Sequence, residues 1–189
     1  MKTLWIDQKN IYDGSQLRSL YAYMEHSLLG DSAIAWRGPC QVTDHMVDGE
    51  DKKANAEIRG GDMIHFIVEL FDSQLFAAVG IQRLLASLVK DQIVTLQPRL
   101  AEKIYRDGDD IYLRGTTLKK FSISIATQSP VSSLIHFAIN VSNDGTPVPT
   151  CSLQDFEIEP TVFAKSVLEQ FAREMSSVRD ATRKVFWVK

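Results

Sequence analysis

Two alternating runs set back to back, residues 117–127 and 131–142, constrain this chain more than any other feature. The first surrounds Lys119 and Lys120 and continues as FSISIA; the second reads SSLIHFAIN, carries a lone His136 and ends at Asn140. Period-two alternation marks β-strands, whose successive side chains point to opposite faces. A polar turn between the runs predicts an antiparallel pair. On the first strand the alternation groups Lys120, Ser122 and Ser124 on one face and Phe121, Ile123 and Ile125 on the other. A lysine beside small hydroxyl residues suits a carboxylate, phosphate or carbonyl oxygen, because its point charge and three donors match a developing anion. Exposed strand lysines are also ordinary. His136, between two apolar residues, reads equally well as a satisfied core histidine.

The remaining chain supplies elements to pack on this pair. Residues 1–7 predict a short first strand, and Ser15 predicts the cap of a helix running to Leu29, ended by Gly30, with His26 off its apolar stripe and exposed. Ser32–Trp36 reads as a strand leading into a loop, Arg37-Gly38-Pro39-Cys40. The next segment is polar, and its Asp44, His45, Asp48, Glu50 and Asp51 match no closed metal pattern, so a solvated loop is expected. A Gly-Gly turn at 60–61 precedes MIHFIVELF, a strand on which His65, Ile67 and Glu69 share one face and could line a cleft. Asp72 or Ser73 then caps a helix over 74–96, with Leu75, Val79, Leu84, Leu85, Leu88 and Val89 as its buried face. An Asp-Gly pair at 107–108 predicts a hairpin, and Pro160 opens a last helix striped by Val162, Phe163, Val167, Leu168, Phe171, Met175 and Val178. Helices and antiparallel strands mix without a βαβ rhythm, so the expected class is α+β, a central mostly antiparallel sheet flanked by helices, in one domain over 1–189.

Composition narrows the partners. A net charge of −3 gives no electrostatic footprint for nucleic acid or an anionic membrane, and no apolar run is long enough to span a bilayer. With no signal-peptide pattern, and with Cys40 and Cys151 too few and too far apart for a disulfide framework, a soluble cytoplasmic protein is expected. No Walker, Rossmann, GxSxG, HExxH or CxxC motif occurs. Cys151, in Pro149-Thr150-Cys151-Ser152, would be a nucleophile only if a cation such as Lys120 lowered its pKa; otherwise it is an inert core thiol, as is Cys40.

Several stretches together resemble a known family: RGPCQV (37–42), MVDGED (46–51), MIHFIVELFD (63–72), GDDIY (108–112), the run 119–140 and GTPV (145–148). They are similar to a prokaryotic family called domain of unknown function 366. The resemblance implies a fold like biotin and lipoate protein ligases and the class II aminoacyl-tRNA synthetase core, often dimeric. Within it, Lys120-Phe121-Ser122-Ile123-Ser124 resembles the lysine motif of lipoate ligases and octanoyltransferases, where the lysine holds the acyl carbonyl or the acyl-adenylate phosphate. The segment from His136 to Asn140 and Val141 resembles the HGxLxxNV strand that follows it, and Cys151 stands near the place of the octanoyltransferase nucleophile, in a different local motif. The ligases' glycine-rich loop is reduced to Arg37-Gly38-Pro39-Cys40, so ATP lacks its usual loop and Arg37 with Gly38 at a pocket rim is all that remains of it.

Two function classes fit these residues. One is an acyl- or carboxylate-handling transferase or ligase, with Lys120 stabilising the carbonyl or phosphate, His136 orienting the site and Cys151 accepting the acyl group. The other is a non-catalytic module binding a nucleotide or acyl metabolite with the same Lys120, Ser122, Ser124 and Asn140, or a homodimeric scaffold with no ligand.

Overall fold

A computed structural model describes residues 1–188. Its main sheet has five strands in the order β1-β2-β3-β8-β7, with β1 (Lys2–Ile6) parallel to β2 (Ser32–Val42), β7 (Ser122–Gln128) at the other edge and every other pairing antiparallel. The centre is β3 (Ile58–Phe71) beside β8 (Ser132–Asn140), and all nine residues of β8 are buried. A strand covered on both faces needs apolar or satisfied side chains throughout, which is why SSLIHFAIN carries no charged residue. A second, three-stranded sheet is formed by β4 (Ile104–Asp107), β5 (Asp110–Leu113) and the two-residue β6 (Lys119–Lys120). The Asp-Gly hairpin is present between β4 and β5, with Gly108 at φ 60°.

One face of the main sheet, presenting Ala33, Ala35, Ile64, Phe66, Ile135 and Phe137, packs against α3 (Leu75–Leu96) and α4 (Pro160–Arg183). The helix α3 buries Ala78, Leu85, Ala86, Val89 and Ile93, whereas the expected Leu75 is exposed: small alanines let the helix lie close to the strands. The start of α4 is fixed by Glu159, whose carboxylate accepts the amides of Thr161 and Val162, with Pro160 in the first turn. Its stripe is buried from Phe163 to Phe171, while Val162 and Val178 lie in solvent.

The other face is covered by the N-terminal segment. Ile34, Trp36, Met63, Ile67, Leu134 and Ala138 form a second cluster there with Tyr12, Leu17 and Ala22. The helix expected over 15–29 shrinks to α1 (Tyr21–His26), because Leu20 is left-handed (φ 63°) and gives its amide to the Glu69 carboxylate at 2.9 Å. His26, expected to be exposed, is half-buried against the edge of Tyr21.

Two loops become strand. β2 runs straight through Arg37-Gly38-Pro39-Cys40, with one register irregularity between Gly38 and Cys40 that accommodates the proline. There Tyr12 pairs like a short extra strand, donating its amide to Pro39 and accepting from Gln41. Gly38 is needed, since a Cβ would lie 1.9 Å from the Asn10 carbonyl oxygen. The Gly60-Gly61 pair lies inside β3 rather than in a turn. The polar segment after β2 contains a short helix, α2 (Gly49–Ala54), capped by the Asp48 carboxylate. The run 117–127 is not one strand: pairing breaks at Phe121, so β6 belongs to the small sheet and β7 (Ser122–Gln128) to the main one.

Candidate functional site

The break at Phe121 decides which side chains meet. Phe121 joins the core under α3 and α4, yet Ile123 and Ile125 pack in the opposite cluster with Tyr12 and Trp36. The expected sidedness therefore holds only in part: Phe121 is split from Ile123 and Ile125, whereas Lys120, Ser122 and Ser124 all border one cleft. Lys120, Ser122, Ile123, Ser124, Ile125, His136 and Asn140 line a cleft of about 520 Å³ together with Tyr12, Met63 and residues from the segments 45–51 and 146–150.

Lys120 stands at the junction of the two sheets. Its backbone is pinned at both ends, its N–H donating to the Pro149 carbonyl (3.0 Å) and its carbonyl accepting from the Cys151 amide (3.1 Å). Its Nζ lies 2.7 Å from Asp110 Oδ2, a partly buried pair. Burial raises the Asp110 carboxyl above its usual range, opposed by Lys120. Ser122 and Ser124 serve structure here. Ser122 Oγ accepts the Ile111 amide, and Ser124 Oγ donates to the His136 carbonyl and accepts from Gln82, which also reaches Asp109. Asn140 donates to the carbonyls of Lys120 and Cys151, tying the end of β8 to the Lys120 joint.

His136 and His65 meet on the same face of adjacent strands, with Ile67 opposite His136 in the register. His65 Nδ1 is 3.1 Å from His136 Nε2, and His65 Nε2 is 3.2 Å from the Gly38 carbonyl oxygen. Tyr12 stacks on His136 with ring centroids 3.6 Å apart and planes at 11°. Burial pushes His65 down to about 4, and His136 is driven well below its ordinary value by burial and by its neighbour. Burial also raises the Tyr12 hydroxyl. Neither the pairing nor Tyr12 follows from local pattern, since both depend on strand register and on a contact between distant segments.

Five expected site residues lie outside the cleft lining, the first being His65, which is fully buried behind His136. Glu69 is buried away from the cleft, accepting from the Leu20 amide and from Ser132 Oγ at 2.6 Å. Arg37 does not line the cleft but forms a forked pair with Asp62, Nε to Oδ1 at 2.8 Å, and Gly38 is absent from the lining as well. On β2, Trp36 takes the histidine face, so its neighbour Arg37 must take the other. Cys151 is a core thiol with no exposed surface, pushed up to about 12 by burial, which disfavours the thiolate a nucleophile needs. Cys40 is likewise buried and raised to about 12. Among the described residues no group of three or more His, Cys, Asp or Glu side chains is placed to hold a metal ion, and no helix is long and apolar enough to cross a membrane.

A five-stranded sheet with helices on one face and this cleft on the other is the biotin and lipoate protein ligase fold. A biotin protein ligase of Aquifex aeolicus, solved with biotin, superposes with a TM-score of 0.62 at 12% identity, covering 95% of this chain and 72% of that one. A lipoate-bound protein of P. falciparum superposes at 0.57 and 10% identity, over 100% and 64%. The chain belongs to the family described as Domain of unknown function (DUF366), whose model matches residues 1–186. A protein of unknown function from Pyrococcus horikoshi has a TM-score of 0.92 and 38% identity, over 100% of this chain and 99% of that chain. An uncharacterised protein of Methanocaldococcus jannaschii is 30% identical over 97% of this chain and 84% of its own length.

Proposed function

We propose that the cleft binds a small molecule carrying a carboxylate or acyl carbonyl, and that Lys120 supplies the contact to its oxygen. The observation that carries this reading is the Lys120 ammonium, fixed by Asp110 at 2.7 Å beside an apolar wall of Ile123, Ile125 and Met63. A cation held at the edge of an apolar cleft suits an oxygen on an alkyl or ring body. Paired with one carboxylate, an ammonium keeps donors for a second acceptor. The biotin- and lipoate-bound neighbours have ligands of this kind, which adds weight to the class.

The cleft favours binding, or acyl transfer to an outside acceptor, over chemistry on the protein itself. Cys151 is sealed in the core and Arg37 is committed to Asp62. A bare polyphosphate is a poor guest, because Asp48, Glu50, Asp51, Glu57, Asp109 and Asp110 line the cleft against only Arg59 and Lys120. Calorimetry with hexanoate, octanoate, lipoate and biotin tests the reading. Lys120→Ala is expected to weaken the best of them by about ten- to a hundredfold, the range of a charge-assisted hydrogen bond. The exposed neighbour Lys119, replaced by alanine, controls for net charge. Equal affinity in Lys120→Ala and wild type would refute the assignment.

A further inference from the structure

The two histidines fix each other's protons. A carbonyl oxygen only accepts, so the 3.2 Å contact to Gly38 requires the proton of His65 on Nε2. A neutral His65 then has a lone pair at Nδ1, and the 3.1 Å contact requires His136 to donate from Nε2. A neutral His136 is left with a lone pair at Nδ1, the ring nitrogen turned away from His65. That nitrogen has no hydrogen-bond partner among the described residues, although His136 is 3% exposed and its ring lines the cleft. The Tyr12 ring, stacked at 3.6 Å, holds the imidazole plane in place. Among the described residues only His26 Nε2 and Ser32 Oγ are both sealed and unpartnered, so His136 Nδ1 keeps an opening to the cleft through which a donor can reach it.

We infer that the His65–His136 pair locks His136 Nδ1 as a hydrogen-bond acceptor on the cleft floor, and that the bound molecule offers it an N–H or O–H donor. His65 is the positioning residue: it makes no contact with the ligand but sets which nitrogen of His136 is bare. The same lock rejects a ligand whose group at this point is itself an acceptor, such as an ether, ester or anionic oxygen, because two lone pairs would face each other. The ligand class is thus an apolar body, sized for the wall of Ile123, Ile125 and Met63, that ends in a hydroxyl, amide or amine at His136. The inference shares the cleft of the preceding reading but does not need Lys120.

The test is nitrogen NMR on protein labelled at histidine, with hexan-1-ol and its methyl ether as probes. Neither probe carries a carboxylate, so this inference and the Lys120 assignment can fail separately. In the free protein His136 is expected to show a bare Nδ1 and a protonated Nε2. Hexan-1-ol should move the Nδ1 resonance toward the protonated value and bind roughly three- to tenfold tighter than the ether, the span of a neutral hydrogen bond. His65→Gln can still donate to Gly38 and accept from His136, and should retain both signatures. His65→Phe can do neither, and should mix the tautomers and erase the preference for the alcohol. A protonated Nδ1 in the wild type would overturn the inference, as would an Nδ1 resonance blind to the alcohol or shifted alike by both probes. The wild-type spectra decide the matter even if a variant fails to fold.

Discussion

Lowering the pH from 7 to 5 should destabilise this protein through the same two histidines. In the unfolded chain a histidine titrates near 6.5; in the fold His65 is held down at about 4 by burial. The folded state resists a proton that the unfolded state accepts. The resulting stability is complete above the unfolded value and is lost as pH falls from 6.5 toward 4. The full shift is worth about 3 kcal/mol, and about 2 kcal/mol of it is gone by pH 5. His136 is shifted in the same direction and adds to the loss. Asp13 and Glu159, held low by Ser15 and by the Val162 amide, act with the same sign but below the histidine window. Urea unfolding at pH 7 and pH 5 measures the effect, as a fall of about 1 M in midpoint for a slope of about 2 kcal/mol per molar urea. The reference is His65→Gln combined with His136→Gln, which removes both titrations and keeps a donor for Gly38. The wild type should lose at least about 2 kcal/mol more than this variant between the two pH values. Parallel pH dependence in the two proteins would refute the claim that the histidines are buried and neutral.

Three further outcomes test the architecture around the site. Both thiols, raised to about 12, should stay unlabelled by a disulfide reagent at pH 8 in the native protein and react on unfolding, since only about one in ten thousand is ionised; fast native labelling of Cys151 would revive it as a nucleophile. Glu69→Ala strips the partners from the Leu20 amide and Ser132 hydroxyl and should cost about 3 kcal/mol in denaturant unfolding, with a near-neutral result contradicting the capture of Leu20. Gly38→Ala drives a Cβ into the Asn10 carbonyl oxygen and should cost about 3 kcal/mol or more, read as a fall in Tm; wild-type stability would mean that residues 10–12 do not lie against β2.

What was legible in the chain depended on whether local pattern or long-range geometry governed it. MIHFIVELF and SSLIHFAIN are buried on both faces, so their apolar density revealed them as strands, and the Asp-Gly pair marked its hairpin. The short α1 was not legible, because Ser15 is a sound local cap signal and only Glu69, far along the chain, diverts the Leu20 amide. Arg37 looked like a loop residue because glycine and proline follow it, yet Tyr12 supplies strand-like pairing at Pro39 and Gln41 that carries β2 onward. The common face expected for Phe121, Ile123 and Ile125 failed for a similar reason. Alternation predicts sidedness only while pairing continues, and at Phe121 the chain changes sheets. Lys120 and His136 were each visible as residues; their common cleft, with Tyr12 and Asp110 around it, exists only once the register is set.

The parallel pairing of β1 with β2 has a consequence for His136. Parallel neighbours cannot be joined by a tight turn, so the chain must travel back along the sheet before β2 begins. Residues 7–31 make that journey, and their route across the open face lays Tyr12 on the imidazole. Had the first strand run the other way, a short hairpin would have sufficed, and His136 would lose the ring that covers it and titrate nearer the ordinary histidine value. The dryness of the site is thus a matter of the direction in which the first strand runs.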